Sequence, residues 1–207
     1  MARQTRQQTQ ARTREELLAT ATEHFLDRGY SAASLEQIAE DAGYSKGAVY
    51  SNFRNKDELC FAVLDRIRAE RMGEIAATLE AGASLDDVVA AFGAWAERTI
   101  GDRRWTLLEI EFSVRSRHDE EIRSRIAAGA AGVRTLIAEL IRSLAARFGL
   151  EPAIEPEQAA TMLLGLGIGL GLQRAITPRP AGRGPHRRRA GSAGSGAVNG
   201  SIRYRAW

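Results

Sequence analysis

Within the first sixty residues one signal recurs: a helix start written into four consecutive side chains. Thr13-Arg-Glu-Glu16 and Ser34-Leu-Glu-Gln37 both read as capping boxes. In such a box the hydroxyl accepts from a backbone N–H while the acid or amide three residues later reaches back. Ser45 and Asn55 stand where two further N-caps are needed. Behind these starts, apolar residues recur at helical spacing: Leu17, Leu18, Ala21 and Phe25, then Leu35, Ile38, Ala39 and Ala42, then Leu59, Val63 and Ile67. Gly29 and Gly43, each followed by a Tyr, offer left-handed stops. Four helices in about sixty residues, with no period-two alternation, restrict the chain to an all-α class.

The pattern continues with longer helices. Ser84-Leu-Asp-Asp87 opens one carrying Val88, Val89, Phe92 and Trp95, and Gly101-Asp102 breaks it before Trp105, Leu108 and Phe112. Asp119 opens a long helix with Ile122, Ile126, Val133, Ile137, Leu140, Ile141 and Leu144, ending near Phe148-Gly149. Pro152 and Pro156 frame a loop, and a last helix runs to about Ile176. From Thr177 the composition changes: the 31 residues 177–207 hold seven Arg, six Gly, five Ala, three Pro and no acid, a mixture expected to stay disordered. The expected organisation is a flexible basic arm over 1–10, a helical head over 11–71, a helical body over 72–176 and the tail over 177–207.

The net charge of +3 therefore misleads. Residues 1–176 alone hold 22 basic and 26 acidic residues, a net −4, so the basicity sits in the tail. Basic residues are 27 Arg and two Lys, a bias of GC-rich coding. The tail has two readings: a shifted reading frame in GC-rich DNA, or a basic extension adding nonspecific DNA affinity. Cys60 is the lone cysteine, and His24, His118 and His186 are scattered, with no metal-ligand spacing or nucleophile elbow. These features point away from an enzyme and imply no cofactor and no metal. The longest apolar run, Met162 to Leu172, has eleven residues, and the N-terminus lacks a hydrophobic signal core. A cytoplasmic protein without a membrane partner is the expectation.

Between Ser34 and Phe53 the order is helix, tight turn, helix, which matches a helix-turn-helix whose second helix can enter the major groove, about 12 Å wide. From Ala42 to Lys56 there are three cations, Lys46, Arg54 and Lys56, and no acid, so this stretch can face phosphates. The acids Glu36, Glu40 and Asp41 are expected to turn away from it. Phe53 reads as core, and Tyr50 reads equally as core or as a phosphate contact.

These residues carry a resemblance. Phe25, Gly29, Ser34, Ile38, Ala39, Ala42, Gly43, Ser45, Gly47, Tyr50, Phe53, Lys56 and Leu59 are spaced as in the DNA-binding domain of the tetracycline-repressor (TetR) family of bacterial transcription regulators. Tyr44 and Asn52 depart from that family's usual smaller aliphatic and His. The resemblance implies DNA contacts from Ser34, Ser45, Lys46, Gly47, Ala48, Tyr50 and Lys56, with the arm residues Arg3, Arg6, Arg12 and Arg14 along the DNA or simply solvated. It implies that 72–176 form a ligand-binding and dimerisation domain. There Phe92, Trp95, Trp105, Phe112 and Met162 would line a cavity, or plain core, with Glu109 and Glu111 beside them to select a cation.

Gly165, Gly167, Gly169 and Gly171 form two small-xxx-small pairs on a helix that the resemblance places in the dimer interface. The family normally adds one more amphipathic helix to that interface, and no such periodicity follows Thr177. The expected activity is a homodimeric repressor released from a palindromic DNA operator by a small apolar or amphipathic effector. An architectural DNA-binding protein without ligand sensing is the alternative.

Overall fold

In the computed structural model the described residues run from Arg6 to Thr177; Arg3 of the expected arm and residues 178–207 of the tail lie outside them. They form α1 (Arg6–Ala32), α2 (Leu35–Asp41), α3 (Lys46–Asn52), α4 (Lys56–Ala81), α5 (Leu85–Thr99), α6 (Arg103–Arg115), a short 3-10 turn (Ser116–His118), α7 (Glu120–Phe148) and α8 (Pro156–Ile176). No strand occurs among the described residues.

Most boundaries follow from local chemistry. The four N–H groups that open a helix lack intrahelical acceptors, so a short polar side chain placed just before them sets the start. Ser34, Ser45, Asn55, Ser84, Asp102 and Asp119 each accept from a backbone N–H two or three positions into the helix that follows. Ser84 and Asp87 complete a full capping box. Gly149 ends α7 in the left-handed conformation, and Pro156 takes the first turn of α8.

Two expectations at the N-terminus change. Residues 6–10 belong to α1 rather than to a flexible arm, and α1 runs straight through Thr13, which caps nothing. Glu16, assigned to a capping box, instead pairs with Arg12 at 2.8 Å and accepts from the Tyr44 hydroxyl. Gly29 does mark a break, with φ 78° and ψ 170°, but one more helical turn follows it to Ala32.

The expected division at 71/72 falls inside α4, which is one continuous helix. Its first half (Leu59, Cys60, Val63, Leu64, Ile67) enters a core with Leu17, Ala21 and Phe25 of α1, Ile38 of α2, Val49 of α3 and Phe53. Its second half (Ile75, Leu79) joins Val88 and Trp95 of α5, with Leu140, Leu144 and Phe148 of α7 packed against them. The head core also takes in Leu108 and Phe112 of α6 and Ile122 of α7. Phe112 is fully buried, 5.2 Å from the Tyr30 ring and 4.8 Å edge-on from Phe61.

Helix α8 packs along α7, with Arg142 of α7 paired to Glu157. It buries only small residues, Ala160, Gly171 and Ala175, and leaves Met162, Leu163, Leu166, Ile168, Leu172 and Ile176 exposed. An 18-residue window of this 21-residue helix reaches a mean hydropathy of 1.4, giving it the length and composition of a membrane-spanning helix, which is weak evidence for a single helix.

Because Phe112 fills a site formed by both head and body, Phe112→Ala is expected to cost about 3–5 kcal/mol in a urea titration. Head and body should lose stability in a single shifted transition; a head melting separately from the body would contradict a shared core.

Candidate nucleic-acid interface and effector region

Helix α3 is short, and its placement comes from outside itself. Val49 and the following Phe53 are buried on one side, while Ser45, Lys46 and Gly47 are exposed at its start. Tyr50, one turn on from Lys46, is 49% exposed, which decides against the core reading of this residue. Lys46 Nζ stands 5.8 Å from the Tyr50 ring, so ammonium, hydroxyl and the Cβ-free backbone of Gly47 lie on one outward surface. Ala48 is half-buried beside them, its N–H donating to Ser45 Oγ at 3.3 Å.

One anchor holds this helix directly and two hold the turn and α2 before it, and sequence reasoning found none of them. The Arg14 guanidinium of α1 donates to the carbonyl of Asn52 at the C-terminus of α3 and lies 4.1 Å over the Phe53 ring. A cation at a helix C-terminus complements its dipole, so Arg14 steadies the end of α3. Tyr44 in the turn donates its hydroxyl to Glu16 of α1, and His24 Nε2 meets Asp41 Oδ2 at 2.8 Å, tying α1 to the end of α2. Partners separated by 17 to 38 residues leave no local pattern to read. Asn52 turns inward, its Nδ2 donating to the Ala48 carbonyl at 2.8 Å.

One acid departs from expectation. Glu36 does not turn away: it forms an ion pair with Lys46 and accepts from Ser34 Oγ at 2.9 Å. The Lys46 ammonium, its own backbone N–H and the Ser34 hydroxyl hold the Glu36 carboxyl down to about 2, and the same pairing raises Lys46. Two of the expected phosphate-facing groups are thus engaged by one carboxylate. Lys56 is also engaged: its Nζ donates to the Ser31 carbonyl at 3.1 Å and lies 4.5 Å over the Tyr30 ring, and burial lowers its pKa.

The expected effector residues fall into separate groups. Phe92 and Trp95 stack at 6.0 Å in the body core, and the Trp95 indole Nε1 is buried without a hydrogen-bond partner. Trp105 and Glu109 are joined through Arg68, 6.0 Å from the indole and 3.1 Å from the carboxylate. Burial pushes the Glu109 carboxyl upward, although Arg68 opposes it. Phe112 belongs to the head core, and Met162 is 62% exposed on α8. Glu111 accepts from the N–H groups of Tyr30 and Ser31 at 2.8 Å each. Neither acid is an unpaired carboxylate, because each already has a positive or N–H partner inside the chain.

The four glycines of α8 divide as well. A Cβ added at Gly165, Gly167 or Gly169 would meet open space, whereas at Gly171 it would sit 3.5 Å from Thr106 Oγ1 and 3.7 Å from the Gly101 nitrogen. Gly171 therefore serves packing within the chain.

A small head with a capped, outward-facing second helix, joined by a shared helix to a larger helical body, defines a two-domain helix-turn-helix DNA-binding protein. Residues 17–63 match the family model of bacterial regulatory proteins, tetR family, and residues 84–192 match the BetI-type transcriptional repressor C-terminal model. The chain belongs to the TetR family of transcriptional regulators. Over 53 residues it is 51% identical to the transcriptional activator FasR of Mycolicibacterium smegmatis, 26% of this chain and 24% of that protein. Over 176 residues it is 29% identical to the transcriptional repressor NemR of Escherichia coli K12, 82% of this chain and 87% of that one. The crystal structure of reduced E. coli NemR superposes with a TM-score of 0.63, covering 79% of this chain and 88% of that chain. A Saccharomonospora viridis protein solved in complex with choline shares the fold, with a TM-score of 0.61 at 22% identity over 79% of this chain and 85% of that one.

Releasing Lys46 from Glu36 should add one phosphate contact. Glu36→Gln is expected to tighten binding to random-sequence duplex and to steepen the dependence of log K on log salt by about 0.9. An unchanged slope in fluorescence-anisotropy titrations at several salt concentrations would show that Lys46 makes no such contact.

Proposed function

We propose that this chain is a homodimeric repressor that places two α3 helices in successive major grooves of a palindromic operator and leaves it when a small effector binds the body. The observation that carries this reading is the outward surface of α3, where Ser45, Lys46, Gly47 and Tyr50 are exposed on a helix anchored from behind. Ser34 and Ser45 would add hydroxyls near phosphates, with Ala48 allowing close approach and Lys56 adding charge behind them. Repression rather than activation is favoured by the BetI-type repressor match over the body and by the longer alignment with NemR; FasR, named an activator, matches over 53 residues only.

For the effector, an apolar or amphipathic molecule with an acceptor atom suits the body better than a cation. The Trp95 N–H is an unpartnered donor among Phe92, Ile75 and Leu79, while Glu109 is already matched by Arg68. Choline lies in the Saccharomonospora viridis protein; here a cation would have to displace Arg68 to reach Glu109. The site of action proposed is the cytoplasm, where the operator is.

Genomic fragments selected by the purified protein and sequenced are expected to share a palindrome. Lys46→Ala and Tyr50→Ala should each weaken binding to it by about ten-fold, in the range of one lost charged or hydrogen-bonded contact. Parent-like binding by both variants would show that the DNA surface lies elsewhere.

The dimer is expected to form on the exposed face of α8. Gly169→Leu meets open space within the chain, so it should fold normally yet sediment as a monomer. A dimer of unchanged affinity in analytical ultracentrifugation would remove this face from the interface.

A further inference from the structure

The break in α1 exposes two backbone donors, and a side chain eighty residues away takes both. At Gly29 the backbone turns to φ 78°, and the last turn restarts with Ala33 N–H on the Gly29 carbonyl at 3.3 Å. Tyr30 and Ser31 therefore begin a helical turn with N–H groups that have no intrahelical acceptor. Both donate to the Glu111 carboxylate of α6, Tyr30 to Oε2 and Ser31 to Oε1, each at 2.8 Å. The approach is close enough that a Cβ on Gly29 would lie 2.6 Å from Oε2. Burial raises the Glu111 carboxyl, but the two N–H groups and Lys56 outweigh it and leave it below its ordinary value.

One turn along α6, Arg115 completes the grip. It holds Asp57 at the start of α4 through Nε at 2.7 Å and Nη2 at 3.1 Å, and Asp57 also accepts from the Tyr30 hydroxyl at 2.6 Å. Lys56 and Arg115 both lie over the Tyr30 ring, at 4.5 Å and 5.1 Å. Thus one face of one body helix holds both the end of α1 and the beginning of α4, the two segments that flank α2 and α3 in the chain.

We infer that Glu111 is a head-positioning residue: its bidentate hold on the broken end of α1 sets the orientation of the α2–α3 unit for operator recognition. This rests on the operator reading above and deepens it, naming the contact that fixes the head. Glu111 touches no DNA. Its loss should therefore cost recognition of the specific site, where two heads must fit one spacing, and spare nonspecific affinity, which follows surface cations.

The test is a double-mutant cycle in the full chain, read as affinity for the selected operator fragment and for random duplex. Glu111→Gln keeps the shape but offers a donor where an N–H needs an acceptor; Gly29→Ala opposes the positive φ and collides with Oε2. Each should lower operator affinity about ten-fold while changing random-duplex affinity by less than about two-fold, and the double variant should lose no more than the worse single one. Leu79→Ala, which destabilises the body core away from the junction, should leave the ratio of specific to nonspecific affinity unchanged. Should Gly29→Ala fail to fold, faster amide exchange at Tyr30 and Ser31 in Glu111→Gln, together with its affinity ratio, decides the matter. Parent-like operator binding by Glu111→Gln, additive losses in the cycle, or an equal drop in ratio for Leu79→Ala would each overturn the inference. If the parent protein selects no genomic fragment, the operator reading falls as well, which separates the two failures.

Discussion

The structure depends on one constraint: the hydrophobic core of the head is not closed by the head alone, because Leu108, Phe112 and Ile122 of the body enter it. Its helices α2 and α3, seven residues each, cannot cover one another, and helices of that length are not stable alone. They are completed by the first half of α4 and by Leu108 and Phe112 of α6, which enter the same buried cluster as Phe25, Ile38 and Val49. Since α4 continues without interruption into the second core, the two units share a helix and a packing surface. A change in the body that shifts α6 therefore acts on the ground on which the head stands.

Electrostatics follows the same logic of position over quantity. Net charge says little about how this chain meets DNA, because most local cations already have partners. Lys46 is paired with Glu36, Lys56 with a backbone carbonyl and an aromatic face, and Arg14 with the end of α3. The exposed Lys46–Glu36 pair contributes little to stability, since solvent screens it and ordering two side chains opposes it. Its effect is on availability: a phosphate must compete with Glu36 for Lys46. The head is a surface whose charges are held ready and partly occupied, with Tyr50 and the open backbone at Gly47 lying beside them.

Much of the fold was legible beforehand, and the reason is chemical locality. Ser34, Ser45, Asn55, Ser84, Asp102 and Asp119 announce helix starts because a cap acts on N–H groups only two or three residues away. The same rule failed at Thr13, where a capping-box pattern lies inside α1 because Arg12, Glu16 and Tyr44 satisfy one another instead. At the site, the exposed start of α3 was legible from residue type and turn geometry. The fate of Glu36 was not, since its partner Lys46 belongs to another helix. The expected effector residues dispersed for the related reason that helical spacing shows which residues share a face, without showing which core that face enters: Phe92 and Trp95 went to one, Phe112 to another.

By itself the sequence determined an all-α chain, the order of its helices and the starts of most of them, a helix-turn-helix between Ser34 and Phe53, and the resemblance that the TetR family match bears out. All of these rest on interactions within a few residues or on spacings along one helix. Only the tertiary structure decided that α4 serves two cores, that Gly171 packs within the chain while Gly165, Gly167 and Gly169 face outward, and that Glu111 closes the break at Gly29. Those outcomes depend on which surfaces meet when helices pack. A carboxylate finds two orphaned N–H groups eighty residues away because burial brought α6 against α1, and no local rule encodes that meeting.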